Sequence, residues 1–309
     1  MFTRLIRAIL AAWFVLLSAS VLAQTKMVVG YTPANDFLAA FVAKDKGFFE
    51  KRGLDVTLTR IPNGSTIPAA MMSGSLTVGA ITPTIFLQAN DNGIDLRILS
   101  GASLQTSKNP TASVVVRNEL AINSPADFTG KRIGVPGLNS VMHAMFMRWL
   151  KQRGVDPDKV TFVEVPFPQQ LDLLKAGQVD AVLPVEPFRG RILQAQAGKA
   201  YANFFSDVRD NLLFSFFAVR QDWARRNPKE AQAFREALIE AQAFIAASPA
   251  EARKSQITHL GLPAAVADVM PLATYETKVE LADVRFWSEV SKELDIIRTI
   301  PDPRSLVVQ

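Results

Sequence analysis

The sequence predicts an α/β protein of two lobes, with mostly parallel sheets flanked by helices and two crossings of the chain between the lobes. Three observations point there: a set of landmarks that occurs twice at a near-constant offset, alternating strand-like and helix-like segments within each copy, and an apolar run after each copy. The first copy carries Val28-Val29-Gly30-Tyr31-Thr32-Pro33, Lys51-Arg52-Gly53-Leu54-Asp55, Ile61-Pro62, Ser73-Gly74-Ser75-Leu76 and Thr82-Pro83. The second carries Arg132-Ile133-Gly134-Val135-Pro136, Gln152-Arg153-Gly154-Val155-Asp156, Val165-Pro166, Ala176-Gly177-Gln178-Val179 and Leu183-Pro184, in the same order and 101 to 104 residues later.

The first segment, Met1 to Ala23, has the features of an export signal. Arg4 and Arg7 precede the apolar run Ala8 to Leu17, and small residues follow up to Ala23. A cleaved leader, a soluble exported protein and a periplasmic location are expected, since the apolar run falls short of the roughly 20 residues that span a bilayer. The chain of 309 residues is 49% apolar and 20% charged, enough for two cores and too apolar for disorder. Its formal charge of +5 falls to +3 without Arg4 and Arg7, too mild to call for nucleic acid. The absence of cysteine excludes disulfides, thiolate catalysis and Cys-ligated metals, and also a lipoprotein anchor.

Within each copy, a strand, a helix ended by Gly, a second strand, a second helix ended by Gly and a third strand running into Pro make two overlapping βαβ units. Val56-Thr57-Leu58-Thr59-Arg60-Ile61 and Val160-Thr161-Phe162-Val163-Glu164-Val165 alternate and are β-branched, whereas Phe37, Leu38, Phe41 and Val42 recur at helical spacing. The apolar runs Ala112 to Arg117 and Leu212 to Val219 are read as the crossings. The tail is expected to be helical from Pro228 to about Ala247, from Ser248-Pro249 onward, and from Leu281 to Leu294. Lobe one is then residues 24–113 plus 215–309, and lobe two is 114–214.

In open parallel α/β sheets, ligands bind beyond the carboxyl ends of the strands. The expected walls are therefore Tyr31, Thr32, Asn35, Asp36, Asn63, Gly64, Ser65, Thr66, Thr82 and Pro83 from lobe one. Lobe two supplies Gly137, Asn139, Ser140, Phe167, Gln169 and Glu186. Their Gly, Ser, Thr and Asn content suits close backbone approach and hydrogen bonding to a polar solute. Helix starts there favour an anionic group by about 0.3–1 kcal/mol each. Ser65, Thr66, Asn139 and Ser140 equally suit plain N-capping. Tyr31 and Phe167 suit either stacking on a ligand or core packing. Glu186 and Asp36 suit either a ligand donor or internal partners, N-capping above all for Asp36 and backbone donors or the nearby Arg189 and Arg191 for Glu186. If both carboxylates face the solute, a zwitterion fits best.

Gly30-Tyr31-Thr32-Pro33, the stretch Lys46-Gly47-Phe48-Phe49-Glu50-Lys51-Arg52-Gly53-Leu54-Asp55-Val56, Gly64-Ser65, Ser73 to Ala80 and Val185-Glu186-Pro187-Phe188 resemble the substrate-binding proteins of bacterial ABC importers for nitrate, sulfonates, taurine and thiamine-pyrimidine precursors. The resemblance covers essentially the whole chain after Ala23. It implies a periplasmic-binding fold of the second type that closes over a small solute and delivers it to a membrane permease, without cofactor, catalysis or metal, and as a monomer. It also implies that Gly64-Ser65, Thr82-Pro83, Asn139-Ser140 and Glu186 line the cleft. Val185 stands where the family often has an aromatic residue, which leaves the solute class open. The competing reading is a lyase or pyrimidine-forming enzyme on the same fold. Against it, the only histidines, His143 and His259, are far apart in helical patterns, and no nucleophile elbow or phosphate loop appears.

Overall fold

The computed structural model describes residues 24–308; the expected leader, residues 1–23, lies outside the described residues. The first copy runs β1 (Thr25–Tyr31), α1 (Leu38–Asp45), β2 (Leu54–Arg60), α2 (Ile67–Met72), β3 (Val78–Ile81) and α3 (Pro83–Asp91). After β4 (Leu96–Gln105) and β5 (Val114–Arg117), the second runs β6 (Arg132–Val135), α4 (Val141–Gln152), β7 (Thr161–Glu164), α5 (Gln170–Lys175), β8 (Ala181–Val182) and α6 (Phe188–Gln194). β9 (Gly198–Ala202), α7 (Phe204–Val208) and β10 (Leu212–Arg220) follow. The tail is α8 (Gln221–Arg226), α9 (Pro228–Ala247), α10 (Pro249–Leu260), α11 (Ala264–Val269), β11 (Thr274–Tyr275) and α12 (Leu281–Glu293).

The duplication is visible in the sheets. Their strand orders are β2-β1-β3-β10-β4-β11 and β7-β6-β8-β5-β9. Each copy contributes three parallel strands in the same order, with its first strand in the middle. Gly53 and Gly154, one in each copy, both take a left-handed φ of about 75° where the chain turns into the next strand or loop, a conformation that costs glycine nothing. The remaining strands join antiparallel: β10 beside β3, β4 beside β10, β11 beside β4, β5 beside β8 and β9 beside β5. The parallel expectation thus holds for the duplicated core of each sheet, and both sheets are mixed, because the chain that arrives from the other lobe enters each sheet in reverse.

The apolar run at Leu212 is a strand from its first residue. Leu212 and Leu213 pair with Gln105 and Leu104 of β4, so the expected boundary between 214 and 215 falls inside the first sheet's central strand. Its first eight residues are buried because helices cover both faces, which is why the run is continuously apolar. The crossings are the short segments 106–113 and 209–211. Asp210 ties them together, its carboxylate accepting from the Ser107 N–H at 2.6 Å and the Ser107 hydroxyl at 2.7 Å.

In the first lobe, α1 is buried from Leu38 through Ala43, packed between the sheet and the tail helices α9 and α10. This accounts for a helix that is apolar on nearly every face. A second apolar cluster joins the lobes: Phe146 of α4 meets Phe204 edge-on at 5.4 Å, and Phe205 meets Trp287 of α12 at 6.3 Å. Beside it, Arg148 and Lys151 of α4 pair with Glu293 at the end of α12. Among the described residues, no helix is long and apolar enough to cross a membrane.

Candidate functional site

The strand ends of the two lobes meet. Asn35, just after β1, donates its backbone N–H to the carbonyl of Glu186, just after β8, at 3.4 Å. Three loops from lobe one and three from lobe two converge on this level, because the duplicated strands all point their carboxyl ends the same way within each sheet.

On the lobe-one side, Asn63 is the cap: its Oδ1 accepts from the Ser65 N–H at 3.0 Å and from the Ser65 hydroxyl at 2.8 Å, while the Thr66 hydroxyl donates to the Asn63 carbonyl at 2.8 Å. Asn63, Ser65 and Thr66 are exposed, and Thr32 and Gly64 are partly so. A Cβ on Gly64 would come within 3.1 Å of the Thr32 methyl and 3.4 Å of Ile85, so a side chain there would crowd two neighbouring walls. Thr82 precedes α3 without making a side-chain cap bond, and Pro83 opens that helix.

Four of the expected lobe-one residues lie inside the lobe instead, Pro83 among them, buried beside Phe86, Leu87 and Trp287. Tyr31 is core: its ring meets Phe41 edge-on at 4.8 Å and its hydroxyl donates to the His259 carbonyl. Asn35 is buried, donating to the Pro271 carbonyl and accepting from Gln256 and the Tyr275 hydroxyl. Asp36 accepts from the Ser103 hydroxyl at 2.8 Å, and Ser103 in turn bonds Ser215 at 2.7 Å. Burial pushes the Asp36 carboxyl up to about 6, with Ser103 and its own backbone pulling the other way.

On the lobe-two side, Ser140 caps α4 by accepting from the His143 N–H at 3.3 Å, and Asn139 takes a left-handed φ of 60°. The Asn139 N–H donates to Nδ1 of His143 at 3.0 Å. An imidazole that accepts there carries its proton on Nε2, and burial pulls its pKa down to about 4, which keeps the ring neutral. Gly137 faces Glu164, whose carboxylate accepts from the Leu138 N–H at 2.8 Å. Phe167 is partly exposed and stacks on Phe188 at 5.5 Å, while Gln169 is exposed.

Glu186 is 1% exposed and internally satisfied. Its Oε1 accepts from Arg189 at 3.1 Å and its Oε2 from the Gly190 N–H at 3.0 Å. Burial raises its pKa, opposed by those two partners. Arg189 is held in turn by its Nε donating to the Ser113 hydroxyl at 2.9 Å. A hollow of about 190 Å³ lies against this pair, with Gln194 on the same side and Val266, Val269 and Met270 of the tail opposite. The tail wall is what sequence reasoning missed. Nothing in the local pattern of 264–271 marks it, because its position depends on α11 packing against α10, which packs against α1. No cluster of three or more His, Asp or Glu side chains suited to a metal occurs among the described residues.

Two α/β lobes built on a duplicated unit, with strand ends facing across a gap and two tied crossings, are the periplasmic-binding-protein fold. The chain belongs to the NMT1/THI5 like family, whose model matches residues 34–252. Among curated proteins it is similar to the nitrate/nitrite binding protein NrtA of Nostoc sp. (strain PCC 7120), 27% identical over 238 residues that cover 71% of this chain and 53% of that one. It is also similar to the taurine-binding periplasmic protein of Escherichia coli (strain K12), 27% identical over 213 residues, 66% of this chain and 62% of that one. The chain thus matches between about half and two thirds of the length of these two relatives. Among solved structures, the alkanesulfonate-binding protein SsuA from Xanthomonas axonopodis pv. citri bound to MOPS superposes with a TM-score of 0.78 at 20% identity, over 92% of this chain and 98% of that one. The periplasmic nitrate-binding protein NrtA from Synechocystis PCC 6803 gives 0.77 at 15% identity, over 91% and 84%. At those identities the likeness establishes the fold.

Proposed function

We propose that this protein is the periplasmic solute-binding component of an ABC importer. It captures a small organic solute, sulfonate-like, aminosulfonate or amino-heterocyclic, by closure of the two lobes and delivers it to the membrane permease. The observation that carries the reading is the meeting of strand ends at Asn35 and Glu186, which sets loops from both duplicated halves around one gap. Family membership supports it, and the relatives named above are called binding proteins. Thr32, Asn63 to Thr66, Thr82, Gly137, Asn139, Ser140, Phe167 and Gln169 contact the solute, with Glu186 at the hinge side and Pro83 setting the start of the helix behind Thr82. Tyr31, Asn35 and Asp36 shape the wall from behind. Contacts from both lobes favour the closed form, and the permease reads that form. The protein works as a monomer without catalysis, after its leader is removed and without a lipid anchor.

A thermal-shift screen over taurine, short alkanesulfonates, nitrate, bicarbonate and aminopyrimidines tests this, since a site-specific ligand raises apparent stability by mass action. A saturable shift with at least one solute, and recovery of that solute unchanged, is expected. No shift with any solute, or conversion of one to product, overturns the reading.

A further inference from the structure

We propose that His143 is a positioning residue for solute binding: its ring holds the loop 137–140 of lobe two in one shape, so that the Asn139 side chain, rather than the loop's backbone N–H groups, meets the solute. This deepens the solute-binding reading and rests on it. Every backbone N–H of residues 138–140 already has an acceptor inside the protein. Leu138 donates to the Glu164 carboxylate at 2.8 Å, Asn139 to Nδ1 of His143 at 3.0 Å and Ser140 to the Gly137 carbonyl at 3.2 Å. The His143 N–H reaches back to the Ser140 hydroxyl at 3.3 Å, so His143 bonds the loop at two successive residues. With its amides committed, the loop has side chains left to offer, and Asn139 is exposed there. The left-handed φ of 60° at Asn139 is a conformation that an L residue adopts at a cost, and the bond to Nδ1 helps to hold it.

The first copy solves the same loop differently. Asn35 and Asn139 occupy the same place in the two copies, five residues past Gly30 and Gly134. In lobe one the Asn35 side chain turns inward to Gln256, Pro271 and Tyr275, and its N–H goes to the carbonyl of Glu186. In lobe two the equivalent N–H goes to His143, and the residue at the place of His143 in the first copy is Ala39, whose side chain has no acceptor. Packing alone does not explain the imidazole. It is 7% exposed, its ring meets that of Phe162 edge-on at 4.4 Å, and its Nε2 has no hydrogen-bond partner among the described residues. A buried N–H without a partner is unfavourable, and a phenylalanine would fill the same space without one. What phenylalanine would lack is Nδ1, the nitrogen that holds Asn139. Burial keeps the ring neutral, so this nitrogen remains an acceptor around pH 7.

Two substitutions separate the acceptor from the ring. In H143N the side-chain oxygen stands where Nδ1 stood, two bonds from Cβ, and the ring is gone. In H143F the ring stays and the acceptor goes. The full chain is titrated by calorimetry with taurine, short alkanesulfonates, nitrate, bicarbonate and aminopyrimidines, beside thermal melts of each variant. H143N is expected to melt lower than H143F and yet to bind within about two-fold of wild type, whereas H143F weakens binding about three- to ten-fold. A role in packing alone predicts the opposite order. Because His143 acts through Asn139, the double variant H143F/N139G is expected to bind no more weakly than N139G. H143F binding as tightly as wild type, H143N binding more weakly than H143F, or additive losses in the double variant overturn the positioning role while leaving solute binding intact. Amide hydrogen exchange at Asn139, followed by NMR in solute-free wild type, is expected to be slow. Exchange there at the rate of an open loop overturns the role even where a variant fails to fold. Wild type that binds none of the solutes fails the underlying reading instead.

Discussion

Replacing Asp36 by asparagine separates a carboxylate that serves the solute from one that belongs to the interior. The side chain is 4% exposed, and its partners are the Ser103 hydroxyl and a backbone N–H rather than a cation. Burial lifts its pKa from 3.8 to about 6. At 1.36 kcal/mol per tenfold change in acidity, this corresponds to about 3 kcal/mol of native-state cost for holding the charge. Because the folded chain binds the proton more tightly than the unfolded one, the cost is fully present above pH 6. It shrinks as pH falls from 6 to 3.8 and is gone below. The Asp36→Asn variant has no such charge but must place an amide N–H, at about 1–2 kcal/mol if it finds no acceptor. Urea unfolding followed by circular dichroism at pH 4 to 8 is expected to find the variant about 1–2 kcal/mol more stable than wild type at pH 7–8. The order reverses toward pH 4. Solute affinity should change less than about two-fold, because the carboxyl is enclosed with Ser103 and does not reach the cleft. A variant less stable than wild type at pH 8, or a solute affinity lost with the charge, refutes the reasoning.

Three further outcomes follow from the geometry. Ser65→Ala in one lobe and Asn139→Gly in the other, the latter keeping the left-handed backbone open, should each weaken solute binding about three- to ten-fold by calorimetry. Gly101→Ala would set a Cβ 2.4 Å from the Glu276 carbonyl oxygen and 2.9 Å from that of Lys278. Backbone cannot yield as a side-chain tip does, so a loss of about 1–3 kcal/mol is expected in denaturant melts. Trp287→Ala removes a ring that is 1% exposed and donates to the Leu213 carbonyl at 2.6 Å, and should cost about 3–5 kcal/mol in the same assay.

The duplicated unit was readable because each βαβ step leaves local marks: β-branched alternation, a glycine at the turn into the following segment, a proline after the third strand. The helices starting at Pro228 and Pro249 were readable for the same reason, since a proline in the first turn marks a helix start locally, and the helix from Leu281 through its apolar spacing. The Leu212 run was not, as an apolar stretch looks alike whether it links two lobes or forms the middle of one sheet. In the site, exposed Asn63, Ser65 and Asn139 lie at strand ends as their spacing implied, whereas the orientations of Tyr31, Asn35 and Asp36 depend on partners some 70 to 240 residues away, such as Ser103, His259 and Tyr275. Glu186 shows both sides: its pairing with Arg189 is a local i to i+3 contact, but the wall facing them comes from the distant tail.

The place of β10 between β3 and β4 gives the two lobes different histories. All five strands of the second sheet come from one uninterrupted stretch, 114–202, so that lobe can finish as soon as this stretch is available. The first sheet cannot: β3 and β4 are consecutive in the chain yet never touch, and each keeps an open edge until residues 212–220 return to fill the slot. An unfilled slot of that kind is a template for another strand. The lobe that begins first is therefore completed last, and the interval between the two is when the nascent chain is most exposed to mispairing.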